Sequence, residues 1–298
     1  MMLSQKLTYI LVVLFTFSNV GSAKAQSKSG QDPFYLYGFP QDQIYVNIDK
    51  ASKEGKKVAK LKLKGVDLSL KRKKLGKFKN LVVLNLEDNK LDSLPIGIYK
   101  NTNLKYLRSS GNSLTRLNED LVRFRYLKEL HLIGTKLDSF PRSFTSLSQI
   151  SHLEIQSNSA DTFYTNESFS NLKVLEEVLL YNVNLKEFPT KLTAQKTLLN
   201  FYLVQCNVPK IDSSLYKCEN LEVLVLEGNK LTKIDREIVR LKKLEVLNLK
   251  NNDLKSLPEF ITKLKNLKSL DVTGNSIPYY EIEIVKILLP KCTVKYSH

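Results

Sequence analysis

The chain has 298 residues, of which 42% are hydrophobic and 26% charged. That is too much apolar mass for a disordered chain and enough for one large domain or two ordinary ones. Its formal net charge is +16, carried mostly by Lys, so any electrostatic partner is anionic. Three Cys, an odd and low number, exclude a disulfide framework.

Residues 1–25 read as a secretory signal. Lys6 supplies a small positive start, Leu7 to Phe17 is largely apolar, and Ala23-Lys24-Ala25 has the small-x-small form cut by a signal peptidase, here before Gln26. The apolar stretch is shorter than the ~20 residues of a spanning helix, and no Cys follows it to carry a lipid. The expectation is an exported protein that is periplasmic, on the cell surface or secreted. Residues 26–57 form an arm and a cap. Gln26 to Asp42, with Gly, Pro and four aromatics, reads as irregular, and Ile44 to Lys57 reads as a capping strand and helix.

From Val58 the chain repeats. VAKLKLKGVDL from Val58 is followed by LVVLNLEDNKL (Leu81), LKYLRSSGNSL (Leu104), LKELHLIGTKL (Leu127), ISHLEIQSNSA (Ile150) and LEEVLLYNVNL (Leu175). LLNFYLVQCNV (Leu198), LEVLVLEGNKL (Leu221), LEVLNLKNNDL (Leu244) and LKSLDVTGNSI (Leu267) complete the ten units. Each starts 23 residues after the last, except that 25 separate Ile150 from Leu175. A unit this short holds about one strand and a return path, so it buries its leucines only against its neighbours. At ~1.5–3 kcal/mol for each fully buried aliphatic, stacking supplies on the order of 10 kcal/mol per unit before entropy is counted.

These units resemble the leucine-rich-repeat family, with its L-x-x-L-x-L-x-x-N-x-L core. Second halves such as LDSLPIGIYKNTNL and LKSLPEFITKLKNL are similar to the 23-residue class found in many bacterial and plant-intracellular members. The resemblance covers Val58 to Ile277, and with the signal it suggests an exported bacterial member. It implies an α/β fold: a curved, right-handed horseshoe solenoid. A parallel sheet would line the concave side, short helical, 3-10 or extended segments the convex side, and binding would fall on the concave side. It implies no catalytic residue and no cofactor.

The residues support the same layout. Asn89, Asn112, Asn158, Asn229, Asn252 and Asn275 fall where each strand ends, where a buried amide can satisfy backbone groups left unpaired by the turn. Val66, Thr135, Val183 and Cys206 take that place elsewhere. Cys206 and Cys218 thus read as buried thiols. Gly65, Gly111, Gly134, Gly228 and Gly274 precede the ladder position, where a tight turn favours a missing Cβ. The two extra residues of the long unit belong within Ser159 to Asn171, away from the sheet. That stretch contains Asn166-Glu167-Ser168, formally a glycosylation acceptor. At 278–298 a cap is expected. Ser276 and Pro278 start a helix that covers the last leucine layer with Ile284, Ile287 and Leu288, Tyr280 lies at the same helical spacing, Pro290 stops the helix, and Thr293 to Tyr296 add a strand.

No phosphate loop, zinc pattern or nucleophile elbow is present, so the chain reads as a non-catalytic binder. The outward third, fifth and seventh positions of the units form a grid with strands ~4.8 Å apart. Leu179, Tyr181, Tyr202, Val204, Val223 and Val225 cluster there as an exposed apolar patch, which marks an interface or simply reflects β-propensity. Both tyrosines should point away from the leucines, so that replacing the pair leaves no cavity. Beside them, Glu129, His152 and Glu177 share one row and His131 and Glu154 lie in the next. Carboxylates with histidine suit a metal or a sugar, but on a flat wet sheet they read better as cross-strand charge pairs. Tyr106, Arg108 and Ile133 complete the candidate face.

The charge is lopsided. Asp49 to Asn80 holds thirteen Lys or Arg against three acids. Lys60, Lys62 and Lys64 on the first strand, with Lys71, Arg72, Lys73 and Lys74 behind it, offer an alternative site for an envelope glycan or an anionic lipid. The expected partner is a protein on the concave sheet. Nucleic acid is excluded by export, no metal site is assigned, and the oligomeric state is left open.

Overall fold

The computed structural model describes residues 36–37, 42–165, 167–193 and 195–297. The signal segment, all of the arm except Leu36, Tyr37 and Asp42, and Asn166 of the acceptor triplet lie outside the described residues.

Twelve strands form one parallel sheet in strict chain order. β1 (Ile44–Tyr45) precedes the repeats. The ten units supply β2 (Lys60–Lys62), β3 (Val83–Asn85), β4 (Tyr106–Ser110), β5 (Glu129–Thr135), β6 (His152–Ser157), β7 (Glu177–Tyr181), β8 (Asn200–Val204), β9 (Val223–Val225), β10 (Val246–Asn248) and β11 (Ser269–Asp271). β12 (Thr293–Lys295) follows the last unit. The return paths are mostly single 3-10 segments, such as Ile96–Lys100 and Glu259–Lys263, each entered through a proline whose fixed φ near −60° sets the bend: Pro95 and Pro258. Between sheet and return paths runs one continuous core of leucines, extended by Phe78, Phe124, Phe144, Phe169 and Phe201.

The asparagine ladder does what its position requires. Asn112 accepts from the backbone N–H groups of Asn89 and Leu91, both at 3.0 Å, and donates to the Leu86 carbonyl at 2.7 Å. Asn229 does the same for Cys206, Val208 and Leu203. Cys206 stands in as a donor, its Sγ lying 3.3 Å from the carbonyl oxygens of Leu180 and Val204, and burial pushes this thiol up to about 12. All three cysteines are unbridged and buried.

One rung breaks the pattern. The residue before the ladder position has positive φ in every unit but one, with Asp88, Asn182, Gln205 and Asn251 tolerating it where glycine is absent. At Gly111 a Cβ would meet the Asp88 carboxylate, so a side chain there would have to displace it as well as accept a positive φ. The exception is Ser157. There β6 continues, the register slips between Ile133 and Thr135, and Asn158 is left exposed instead of buried as the sequence suggested. Beyond this slip lies the long unit. His152 through Gln156 pair in unbroken register with Glu177 through Tyr181, so the two extra residues lie outside the sheet. There Phe163 and Phe169 pack on Phe140.

Both ends are capped. The helix Ile48–Glu54 starts at Asn47, whose side chain accepts from the N–H groups of Asp49 and Lys50, and it buries Ile48 and Ala51 against the first unit. The helix Tyr279–Leu288 forms where expected but is rotated from the expected face. Ile282, Val285 and Leu289 enter the core, while Ile284, Ile287 and Leu288 remain exposed. The expectation chose the larger apolar stripe. The core instead takes the stripe that continues into Leu289 and Cys292, and Glu281 anchors it by accepting from the Leu257 N–H at 2.5 Å.

Candidate functional site

Strand pairing confirms the grid. Tyr106, Glu129, His152, Glu177 and Asn200 stand side by side, as do Arg108, His131, Glu154, Leu179, Tyr202 and Val225. Position was thus legible, but exposure was not. The apolar patch was expected to be exposed and the charge pairs wet, yet most of these side chains are inaccessible. Each is flanked on both sides by a neighbour ~4.8 Å away, and the inward curve of the sheet draws their ends together.

The face divides into two halves. In the charged half, Glu129 is 1% and His131 6% exposed. His131 Nδ1 lies 2.7 Å from Glu154 Oε2, and its Nε2 lies 3.3 Å from Glu129 Oε2. The other Glu129 oxygen accepts a hydrogen bond of 2.6 Å from the Tyr37 hydroxyl. Burial pulls His131 toward its neutral form, but the two carboxylates outweigh it and raise its pKa above the ordinary value. Burial likewise works against the Glu129 charge, and His131 and Tyr37 overcome it, holding the carboxyl below the usual range. The result is a histidine clamped between two carboxylates, Glu129 of its own strand and Glu154 of the next. Glu177 lies beyond it, raised by burial and bonded to Asn200 Nδ2 at 2.9 Å. His152 is held through Nδ1 by the Ser151 hydroxyl at 2.8 Å. These charges are engaged with one another and do not converge. Among the described residues no group of three or more His, Cys, Asp or Glu is arranged to hold a metal ion.

Tyr37 was missed by the sequence reading. Its ring packs 6.5 Å from that of Tyr106, which in turn lies 5.0 Å from the His131 ring. Val83 and Ile44 line the same small cluster. Tyr106 is buried and hydrogen-bonded to Arg108, and Arg108 and Ile133 are half-buried beside it. The four aromatics of an otherwise polar arm were the available signal, but nothing in the repeat pattern says where an arm lands.

The apolar half is a second hydrophobic cluster, separate from the leucine core. Tyr202, Val204, Val223, Val225 and Val246 are buried in it, and Leu179 and Tyr181 pack against them while remaining half-exposed. The accessible concave surface at this point is therefore Leu179 and Tyr181, with Gln156, Glu177 and Asn200 around them.

The basic end is not the open cationic surface the sequence suggested. Lys60 is 1% exposed, placed between Ile44 and Val83 by strand pairing. Lys64 bonds to Glu87 at 2.7 Å and pairs with Asp88. Lys71 and Lys74 both clamp Asp49, at 2.8 and 2.6 Å, which pulls that carboxyl down to about 2. Lys62 and Lys73 are exposed and Arg72 is half-buried. Acids lying 22 to 25 residues before or after these lysines in the chain face them across neighbouring units, a pairing that a local charge count does not see.

A stacked parallel sheet with ladder asparagines and a side-chain grid on its inner face defines a repeat-built solenoid. A family model described as "Leucine rich repeat" matches residues 219–277. Among solved structures, an internalin from Listeria monocytogenes shares the fold with TM-score 0.71 at 18% identity, covering 86% of this chain and 71% of its own. The ectodomain of the Arabidopsis thaliana receptor kinase GASSHO1/SCHENGEN3, in complex with Casparian strip integrity factor 2, gives 0.64 at 23% identity, over 80% of this chain and 32% of the receptor. A plant ice-binding protein gives 0.56 at 23% identity, over 68% and 67%. No curated protein matches the chain. The chain has the leucine-rich-repeat fold. At these identities the structural likeness fixes the fold alone, and the function has to be argued from the site.

Proposed function

We propose that the protein is a non-catalytic binding module that holds a protein partner on the apolar half of its concave sheet, and that it acts after export. The observation that carries this reading is the second hydrophobic cluster. A solenoid already has its core, and here it builds another on the opposite side of the sheet, with Leu179 and Tyr181 as the accessible edge. An aromatic and an aliphatic side chain on a preorganised apolar bed, ringed by Gln156, Glu177 and Asn200, match the centre and rim of a protein interface. The plant receptor ectodomain, solved in complex with Casparian strip integrity factor 2, is a case of such a scaffold holding a partner. No described helix is long and apolar enough to cross a membrane.

The test is capture of the partner from the envelope and medium of the producing cell, with wild-type protein and with Leu179→Ser/Tyr181→Ser. A single protein retained by the wild type, and lost from the variant at unchanged melting temperature, is the expected result. A partner retained equally by both, or one eluted by moderate salt alone, would place binding elsewhere.

A further inference from the structure

On the concave edge of the basic end, Lys60 is buried and Lys64 is paired. The opposite flank, away from the sheet, is more open. It is built from three neighbouring segments: the helix Ile48–Glu54 and the 3-10 segments Arg72–Lys77 and Ile96–Lys100. Lys71 and Lys74 tie the second to the first through Asp49. Asn101 ties the third to the second by donating to the Leu75 carbonyl at 3.0 Å, and the Lys100 side chain lies over Gly76. Side chains three residues apart eclipse in a 3-10 turn. Arg72, Leu75 and Phe78 make the inward row here, so Leu70 and Lys73 fall together on an outward one.

This flank carries both bare aliphatics and unpaired cations. Leu70 is 94% and Ile96 55% exposed, and Ile96 occupies in its unit the place that Lys73 occupies in the unit before. Lys50, Lys73, Lys77 and Lys100 are exposed and stand outside the ion pairs made by the described residues. The acids here are few. Lys71 and Lys74 hold Asp49 and Lys57 holds Glu54, which leaves Asp67 and Asp92. Later return segments differ. Their first turns carry Glu119 and Asp120, Glu237 or Glu259, whereas those of Arg72–Lys77 and Ile96–Lys100 carry no acid.

We propose that this flank is the surface by which the protein lies on an anionic lipid bilayer. Lys50, Lys73, Lys77 and Lys100 sit among the lipid phosphates, and Leu70 and Ile96 enter the boundary between headgroups and acyl chains. The two aliphatics select lipid over an acidic glycan. A polyanion in water rewards the lysines alone, and only an apolar phase rewards the burial of Leu70. Two aliphatic side chains and a handful of cations make a reversible attachment, not an anchor. The sheet lies on the other side of the core, so a chain held this way keeps its concave face open.

The test uses protein purified from the producing cell, with vesicles of phosphatidylcholine alone or with about one-third phosphatidylglycerol. It should sediment with the anionic vesicles, weakly or not at all with the neutral ones, and less as salt rises. At roughly fivefold per lysine near such a surface, Lys73→Ala/Lys77→Ala/Lys100→Ala should lower partitioning at least ~tenfold. Lys242→Ala/Lys263→Ala/Lys265→Ala removes the same charge from exposed positions at the far end of the solenoid and should change it less than ~twofold. The chain contains no Trp, so Leu70→Trp introduces a single reporter. Its emission should shift to the blue on anionic vesicles and stay unshifted with heparin. Equal binding to both vesicles, equal losses from the two lysine triples, or an unshifted emission at position 70 would overturn the assignment. Binding to heparin as tight as to anionic vesicles, with Leu70→Ser indifferent, would overturn it in favour of an acidic glycan.

Discussion

The two halves of the concave face are built on one parallel ladder and do opposite things. From β4 to β7 the grid positions carry Tyr106, Arg108, Glu129, His131, Glu154 and Glu177. These groups satisfy one another, and the arm adds Tyr37 to complete the set. From β7 to β10 the same positions carry Leu179, Tyr181, Tyr202, Val204, Val223, Val225 and Val246, which exclude water but leave two members accessible. The difference teaches that a row of side chains in register is not yet a binding surface. A polar row whose bonds are filled internally has little left to offer a partner. An apolar row with an accessible edge still gains by being covered.

Breaking the charged half should cost most. His131→Leu leaves Glu129 and Glu154 buried without the imidazole that bonds to both, and we expect a loss of about 3 kcal/mol or more in urea unfolding. A loss below ~1 kcal/mol would mean that the charges are solvated and the halves alike. In the apolar half, Tyr202→Ser should cost about 2 kcal/mol because its ring is buried in the second cluster, whereas Tyr181→Ser should cost less than ~1 kcal/mol and act on binding. Equal costs for the two tyrosines would erase the distinction between bed and edge. Tyr37→Phe retains the ring but removes the donor to a buried carboxylate, and should cost about 1.5 kcal/mol.

The smallest effect sharpens the comparison through pH. His131 has a raised pKa in the folded protein, so its contribution is fully present below its unfolded value of 6.5 and is lost as pH rises through the folded value. Wild-type stability should therefore fall above pH 6.5, by at most ~1.4 kcal/mol per pH unit. The fall should be absent in His131→Leu and intact in Tyr202→Ser. A fall that survives in His131→Leu would assign it to another group.

Much of this was legible in the sequence. The unit period placed all ten repeat strands, and the leucine columns placed the core. The ladder column placed Asn112, Asn229 and Asn252, and the grid positions named the residues of both halves. What was not legible depended on contacts between distant parts of the chain. Asn158 lost its rung because Ser157, one residue earlier, did not turn. Ile284, Ile287 and Leu288 formed a convincing stripe, but two stripes shared that helix and the pattern alone could not say which faced inward. Lys60 was expected to point to solvent, because a strand read alone shows only alternation. Its burial comes from Ile44 and Val83 on either side. The same omission made Tyr202 look harmless to replace together with Tyr181. The position of Tyr37 on Glu129, 92 residues away, has no periodic signature at all.

The central claim is that the partner sits on the accessible edge of the apolar half, and a photocross-linker tests it most directly. Benzoylphenylalanine would replace Tyr181 on the concave face or, in a second protein, Tyr126, which is exposed in a segment between strands. Irradiation in the producing cell should join a single partner protein to position 181 and nothing to position 126. A partner captured at 126 and absent at 181 would contradict the account and move the binding site off the concave sheet.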